Sequence, residues 1–206
     1  MTDSARVLAI SVGTPLPLVV AGGGTEAIVL SAIRKHPLST QLRPIAVQVH
    51  ALGLAGDEQA DRTIHGGPDR ALYLYPFEHY AWWNARRRAA KVPESNRPLG
   101  FGALGENLTV QGLFETELWA GDLLRIGNVV LEVGLPRNPN VKFNAVMGYG
   151  KAVHDMVQSG YTGVYLRVVK PGELQAGDAI VVTPGPRNVS VENINLRRRD
   201  GWRVLF

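Results

Sequence analysis

Three short stretches gather the residues most able to do chemistry. His65-Gly66-Gly67-Pro68-Asp69-Arg70 sets two adjacent glycines between a histidine and a proline. Glycine tolerates positive φ, so successive backbone N–H groups there can turn toward one point as an anion-binding nest. Arg70 adds a forked donor suited to phosphate or carboxylate. An ordinary tight turn with a solvated arginine is the competing reading. In Gly102-Ala103-Leu104-Gly105-Glu106-Asn107, glycines again permit close backbone approach, and Asn107 carries donors and acceptors that suit a heterocycle edge. A plain loop between strands would look the same. In Pro136-Arg137-Asn138-Pro139-Asn140-Val141-Lys142 the prolines hold the chain extended, so Arg137, Asn140 and Lys142 project in defined directions. Arg137 and Lys142 repel each other unless an anion lies between them.

Other chemistries are excluded or poorly supported. The chain has no cysteine, which rules out disulfides, thiolate-bound zinc, iron–sulfur clusters and thiol nucleophiles. Its five histidines lack zinc-like spacing, and Asp57, Asp61 and His65 match a helical face only by count. Gly22-Gly23-Gly24 lacks the helix pattern that a phosphate loop requires, and no serine nucleophile elbow or dinucleotide fingerprint is present.

The elements that would carry these stretches are mostly short and β-branched. Strands are predicted at Val7–Val12, Glu26–Ile33, Ile45–His50, Ala71–Tyr75, Asn107–Val110, Leu123–Ile126, Val129–Val133, Gly163–Val169 and Ala179–Val182. Their close spacing, without regular alternation with helices, favours a barrel over a doubly wound sheet. Ala120-Gly121-Asp122 and Ala176-Gly177-Asp178 each precede an apolar run and read as two similar strand starts. Helices are expected from Pro76 through Asn84 and around Val153, Met156 and Val157, the latter stopped by Gly160. Phe77, Tyr80, Trp82 and Trp83 read as core aromatics.

With 206 residues, 45% of them hydrophobic and 19% charged, the chain suits one globular domain. The net charge of +4 favours anionic partners. Arg197-Arg198-Arg199, followed by Trp202 and Arg203, could grip a single nucleic-acid strand, but such tails are more often solvated or tucked along a domain. The start Met-Thr-Asp-Ser shows no secretory pattern and no apolar run is long enough to span a bilayer, so the expected location is cytoplasmic.

The chemical stretches, taken in order with Ser31-Ala32-Ile33, Gly53 through Asp57, Tyr75-Pro76, Gly121-Asp122 and Pro136-Arg137, resemble the MOSC (molybdenum cofactor sulfurase C-terminal) domain family and its stand-alone bacterial members. The resemblance runs from about Ser31 to Pro184 and implies a mainly β, MOSC-type β-barrel with a few short helices. It implies residues 1–188 as that domain and 189–206 as a short basic tail of at most one or two helical turns, without the family's helical C-terminal domain. It also implies binding of the molybdenum cofactor in its molybdopterin form. His65, Gly66, Gly67 and Arg70 would line the pocket, Glu106 and Asn107 would sit beside it, and Arg137 and Lys142 would face anionic parts of cofactor or substrate. Some relatives reduce N-hydroxylated compounds, a reaction that here needs a separate reductase. Others sulfurate or carry the cofactor. Where the family has a Pro-Cys pair, with the cysteine proposed as metal ligand, this chain has Pro139-Asn140. Asn140 is therefore the candidate catalytic position, with the metal's protein ligand left unassigned and a homodimer left open.

Overall fold

The computed structural model describes residues 4–22, 25–58 and 67–204. In chain order the elements are β1 (Arg6–Val12), β2 (Leu16–Gly22), β3 (Thr25–Ser31), β4 (His36–Thr40), β5 (Val47–His50), β6 (Gly53–Leu54), β7 (Leu72–Pro76), α1 (Tyr80–Ala89), β8 (Leu108–Gln111), β9 (Leu123–Ile126), β10 (Val129–Pro136), α2 (Val141–Met147), α3 (Ala152–Ser159), β11 (Val164–Lys170), β12 (Gly172–Leu174), β13 (Ile180–Thr183) and α4 (Val191–Val204). Strands dominate, as the β-branched runs predict.

Eight strands form one sheet in the order β13-β9-β10-β11-β7-β8-β1-β4. Its pairs are antiparallel except β7 with β8. The expected barrel is not closed by a strand ladder. Instead an isolated Arg6–Ala179 bridge ties β1 to the start of β13, helped by Ile180 N donating to Ala5 O at 2.7 Å and Val7 N to Asp178 O at 3.0 Å. A second sheet orders β12-β5-β6, and β2 and β3 form a separate hairpin.

The two Gly-Asp repeats do start paired strands. Gly121 and Gly177 have φ of 90° and 99°, where glycine avoids the Cβ penalty. Asp122 then accepts from Trp119 N at 3.0 Å and Asp178 from Gln175 N at 2.9 Å, and the strands that follow, β9 and β13, pair with each other.

The interior has two parts. Val7, Leu72, Leu74, Leu108, Leu124, Leu131 and Val133 belong to an aliphatic cluster, and Tyr73, Tyr75, Tyr80, Trp83, Phe143, Met147 and Met156 to an aromatic and methionine cluster. Tyr80 and Trp83 are buried as expected for core aromatics, whereas Phe77 is 38% exposed. α3 ends where Gly160 takes a left-handed C-cap.

Two sequence expectations are corrected. The stretch after Pro139 is not extended throughout, because Asn140 caps α2 by accepting from Lys142 N at 3.0 Å. The C-terminal segment is not a tail of one or two turns but a 14-residue helix. Its weak intrinsic propensity is offset by docking. Ser190 Oγ accepts from Asn193 N at 3.1 Å at the helix start, Val191 is fully buried, and Asn195 Nδ2 donates to Gly160 O at 3.0 Å.

Candidate functional site

The cleft that gathers most of the predicted site residues has a volume of about 850 Å³. The end of β10 and the loop to α2 supply Arg137, Asn140 and Lys142, the turn before β7 supplies Asp69 and Arg70, and the segment between β3 and β4 supplies Ala32, Ile33 and Lys35. Six cationic side chains line it (Lys35, Arg70, Arg137, Lys142, Arg167, Arg198) against four carboxylates (Asp57, Glu58, Asp69, Glu132).

Two of those carboxylates are already matched. Asp57 pairs with Lys35, and Glu132 with Arg167 at 2.5 Å. Lys35 was not singled out from sequence and Asp57 was weighed only as a weak metal ligand, yet Asp57 also accepts from Gly13 N and Asn107 Nδ2, each at 2.8 Å. Burial holds the Lys35 ammonium below the usual lysine range, against the pull of Asp57.

Arg137 is the residue on which the site turns. It is 7% exposed, donates to Leu104 O, and stacks over Tyr73 and Phe143 at 5.0 and 4.9 Å from the ring centroids. Among the described residues no carboxylate pairs with it. A buried cation without a carboxylate partner is costly, so this position suits an anionic ligand. Gly105, beside the guanidinium, has a φ of 89°, and a Cβ built there would crowd Ile33 Cγ1 at 3.0 Å and Ile33 O at 3.2 Å.

The other expected site residues are placed unevenly. His65 and Gly66 lie outside the described residues, so the nest is represented by Gly67 alone, whose φ of 94° permits the turn that carries Arg70. Arg70 lies over the Tyr165 ring at 5.6 Å and lines the cleft. Asn107 also lines it, but its amide donors are spent on Ser11 O at 3.2 Å and Asp57 Oδ2, and its oxygen accepts from Tyr73 N at 3.1 Å. It stitches β1 to β7 rather than presenting donors to a heterocycle. Glu106 does not line the cleft. It is fully buried behind it and accepts from Tyr80 Oη, Thr109 Oγ1 at 2.8 Å, Gly102 N at 2.9 Å and Leu104 N at 3.1 Å. Glu106 thereby fixes the Gly102–Leu104 turn whose last carbonyl holds Arg137.

Asn140 is exposed, with Oδ1 committed to the α2 cap. Among the described residues no group of three His, Cys, Asp or Glu could hold a metal ion. The cationic side chains that line the cleft suit an anionic ligand.

Comparison with known proteins finds relatives that cover most of the chain. The MOSC domain profile matches residues 61–181. The uncharacterized protein YflK of Bacillus subtilis is 36% identical over 190 residues, covering 92% of this chain and 78% of YflK. A Gibberella moniliformis protein named "Reductase" is 35% identical over 137 residues, which are 66% of this chain but 23% of that much longer relative. The crystal structure of YiiM from Geobacillus stearothermophilus superposes with a TM-score of 0.70 at 27% identity, covering 96% of this chain and 85% of that one.

Proposed function

Because the chain belongs to the MOSC domain family, we propose that its cleft binds the molybdopterin form of the molybdenum cofactor and that the loaded protein reduces N-hydroxylated compounds with electrons from a separate reductase. The observation that carries the reading is Arg137, a buried guanidinium lining the cleft with no carboxylate partner among the described residues. The cofactor's phosphate supplies the missing charge. Arg70 and Lys142 add cationic groups at the same cleft, and Tyr73 and Tyr165 offer aromatic faces. When bound, the cofactor supplies two-electron oxygen-atom transfer, while the protein's residues bind and orient it. With no cysteine, the chain holds no iron–sulfur relay of its own.

Asn140 favours a second reading, in which the domain carries the cofactor without turnover. The family's thiolate position here holds an amide whose oxygen caps a helix, and neutral amides are weak ligands for metals that prefer sulfur donors. One experiment separates the two. Protein loaded in a cofactor-competent host is given an N-hydroxylated base and a strong chemical electron donor. Formation of the reduced base by the parent supports the enzyme. Bound cofactor with no product in the parent, and product only after Asn140→Cys, supports the carrier. The cysteine variant should raise molybdenum content in either case, at a cost of about 1 kcal/mol in stability for the lost cap. Unchanged metal content and no product in both proteins would contradict a metal site at this loop.

A further inference from the structure

Arg198 is the member of the C-terminal arginine run that reaches the cleft. It lines the cleft, and its Nη1 donates to Pro136 O at 2.9 Å and Arg137 O at 3.0 Å. A guanidinium offers five N–H donors in a planar fork. The two carbonyls occupy Nη1 alone, leaving Nε and Nη2. No carboxylate pairs with Arg198 among the described residues. Burial pulls its pKa below the usual arginine range.

Among the described residues, Arg137 and Arg198 are therefore two cations without carboxylate partners, joined through Arg137's own carbonyl and lining the same cleft. An anionic ligand in this cleft supplies the charge that both lack. The docked helix explains why Arg198 is held there at all. Asn195, one turn earlier, is bound to Gly160 O and to Thr162 Oγ1 at 2.9 Å, which fixes the helix face.

We propose that Arg198 is a ligand-contacting residue, so that α4 forms one wall of the anion site and closes with Arg137 on the ligand's phosphate. This rests on the cofactor-binding reading above and adds a residue and a helix to it. The same phosphate chemistry could come from free phosphate, so both sources enter the test.

The probe is pterin monophosphate, followed by fluorescence, with inorganic phosphate as competitor. Arg198→Met should weaken pterin monophosphate binding about tenfold or more, and Arg198→Lys should recover part of the loss. The recovery stays partial because an ammonium is a compact point charge without the planar fork that lets Arg198 hold two carbonyls on one nitrogen and present its other N–H groups elsewhere. In the unmodified protein, pterin monophosphate should slow labelling of Arg198 by an arginine-selective dicarbonyl reagent, a readout that does not depend on any variant folding. Protection by inorganic phosphate alone, with no added effect of the pterin, would overturn a pterin-phosphate wall in favour of a simple phosphate seat. If the parent binds pterin monophosphate and Arg137→Met does not, while Arg198→Met binds like the parent and Arg198 labels at an unchanged rate, the role of α4 is overturned and the cleft reading stands. If the parent binds neither probe, both fail.

Discussion

Arg137→Met is expected to weaken binding of a phosphorylated pterin by on the order of 100-fold or more, since losing a buried charge partner typically costs about 3–5 kcal/mol. The methionine keeps much of the stacking volume against Tyr73 and Phe143 and removes only the charge and the fork. It should also leave the unbound protein about as stable as the parent, because relief of the desolvation cost of a buried cation offsets the lost Leu104 bond and ring contacts. Weaker binding together with unchanged or raised stability is the pattern of a residue held for a ligand. Titration by pterin fluorescence and urea unfolding reads both quantities, and equal binding by the two proteins would remove Arg137 from the site.

The second large effect concerns Glu106, which supports the site from behind. Four donors converge on its carboxylate from α1, from β8 and from the Gly102–Leu104 turn. Glu106→Ala leaves those donors buried and unmatched, for an expected loss of roughly 3–5 kcal/mol out of a typical 5–15 kcal/mol. Ligand binding should fall with it, because the turn no longer presents the Leu104 carbonyl to Arg137. Burial pushes the Glu106 carboxyl above the usual glutamate range, and the hydrogen bonds to Tyr80, Thr109 and Gly102 only partly oppose this. The folded state then holds this proton to higher pH than the unfolded state does. The contribution of Glu106 to stability should accordingly fall as pH rises from the ordinary glutamate pKa to the raised one. Glu106→Gln should abolish that slope while costing less than alanine. A loss below about 1 kcal/mol for alanine, or the same slope in glutamine, would contradict this role.

Much of the frame was legible in the residues. β9 was readable to its ends because a Gly-Asp turn marks its start, and α3 because its apolar spacing runs into Gly160. Arg137 was singled out because prolines hold it in a fixed direction near a lysine, and the fold does bring it to the cleft. What escaped depends on contacts distant in sequence. Arg198 meets carbonyls 61 and 62 positions away, and nothing local separates it from Arg197 or Arg199. α4 has asparagines and a glycine that argue against a long helix, and only its burial against the body of the fold overrides them. Lys35 follows an unremarkable loop, and its partner Asp57 lies 22 residues further on. Asn107 and Glu106 were placed at the ligand by resemblance, yet the fold uses their polar atoms to tie strands and turn together.

The central claim is that the cleft around Arg137 holds a phosphate-bearing pterin. The protein, produced in a host that makes molybdenum cofactor and purified alongside Arg137→Met, should be denatured and its released pterin and molybdenum counted per chain. The expected result is a substantial fraction of one phosphorylated pterin per parent chain and a large loss in the variant. No pterin in the parent, or equal pterin in both proteins, would contradict the account.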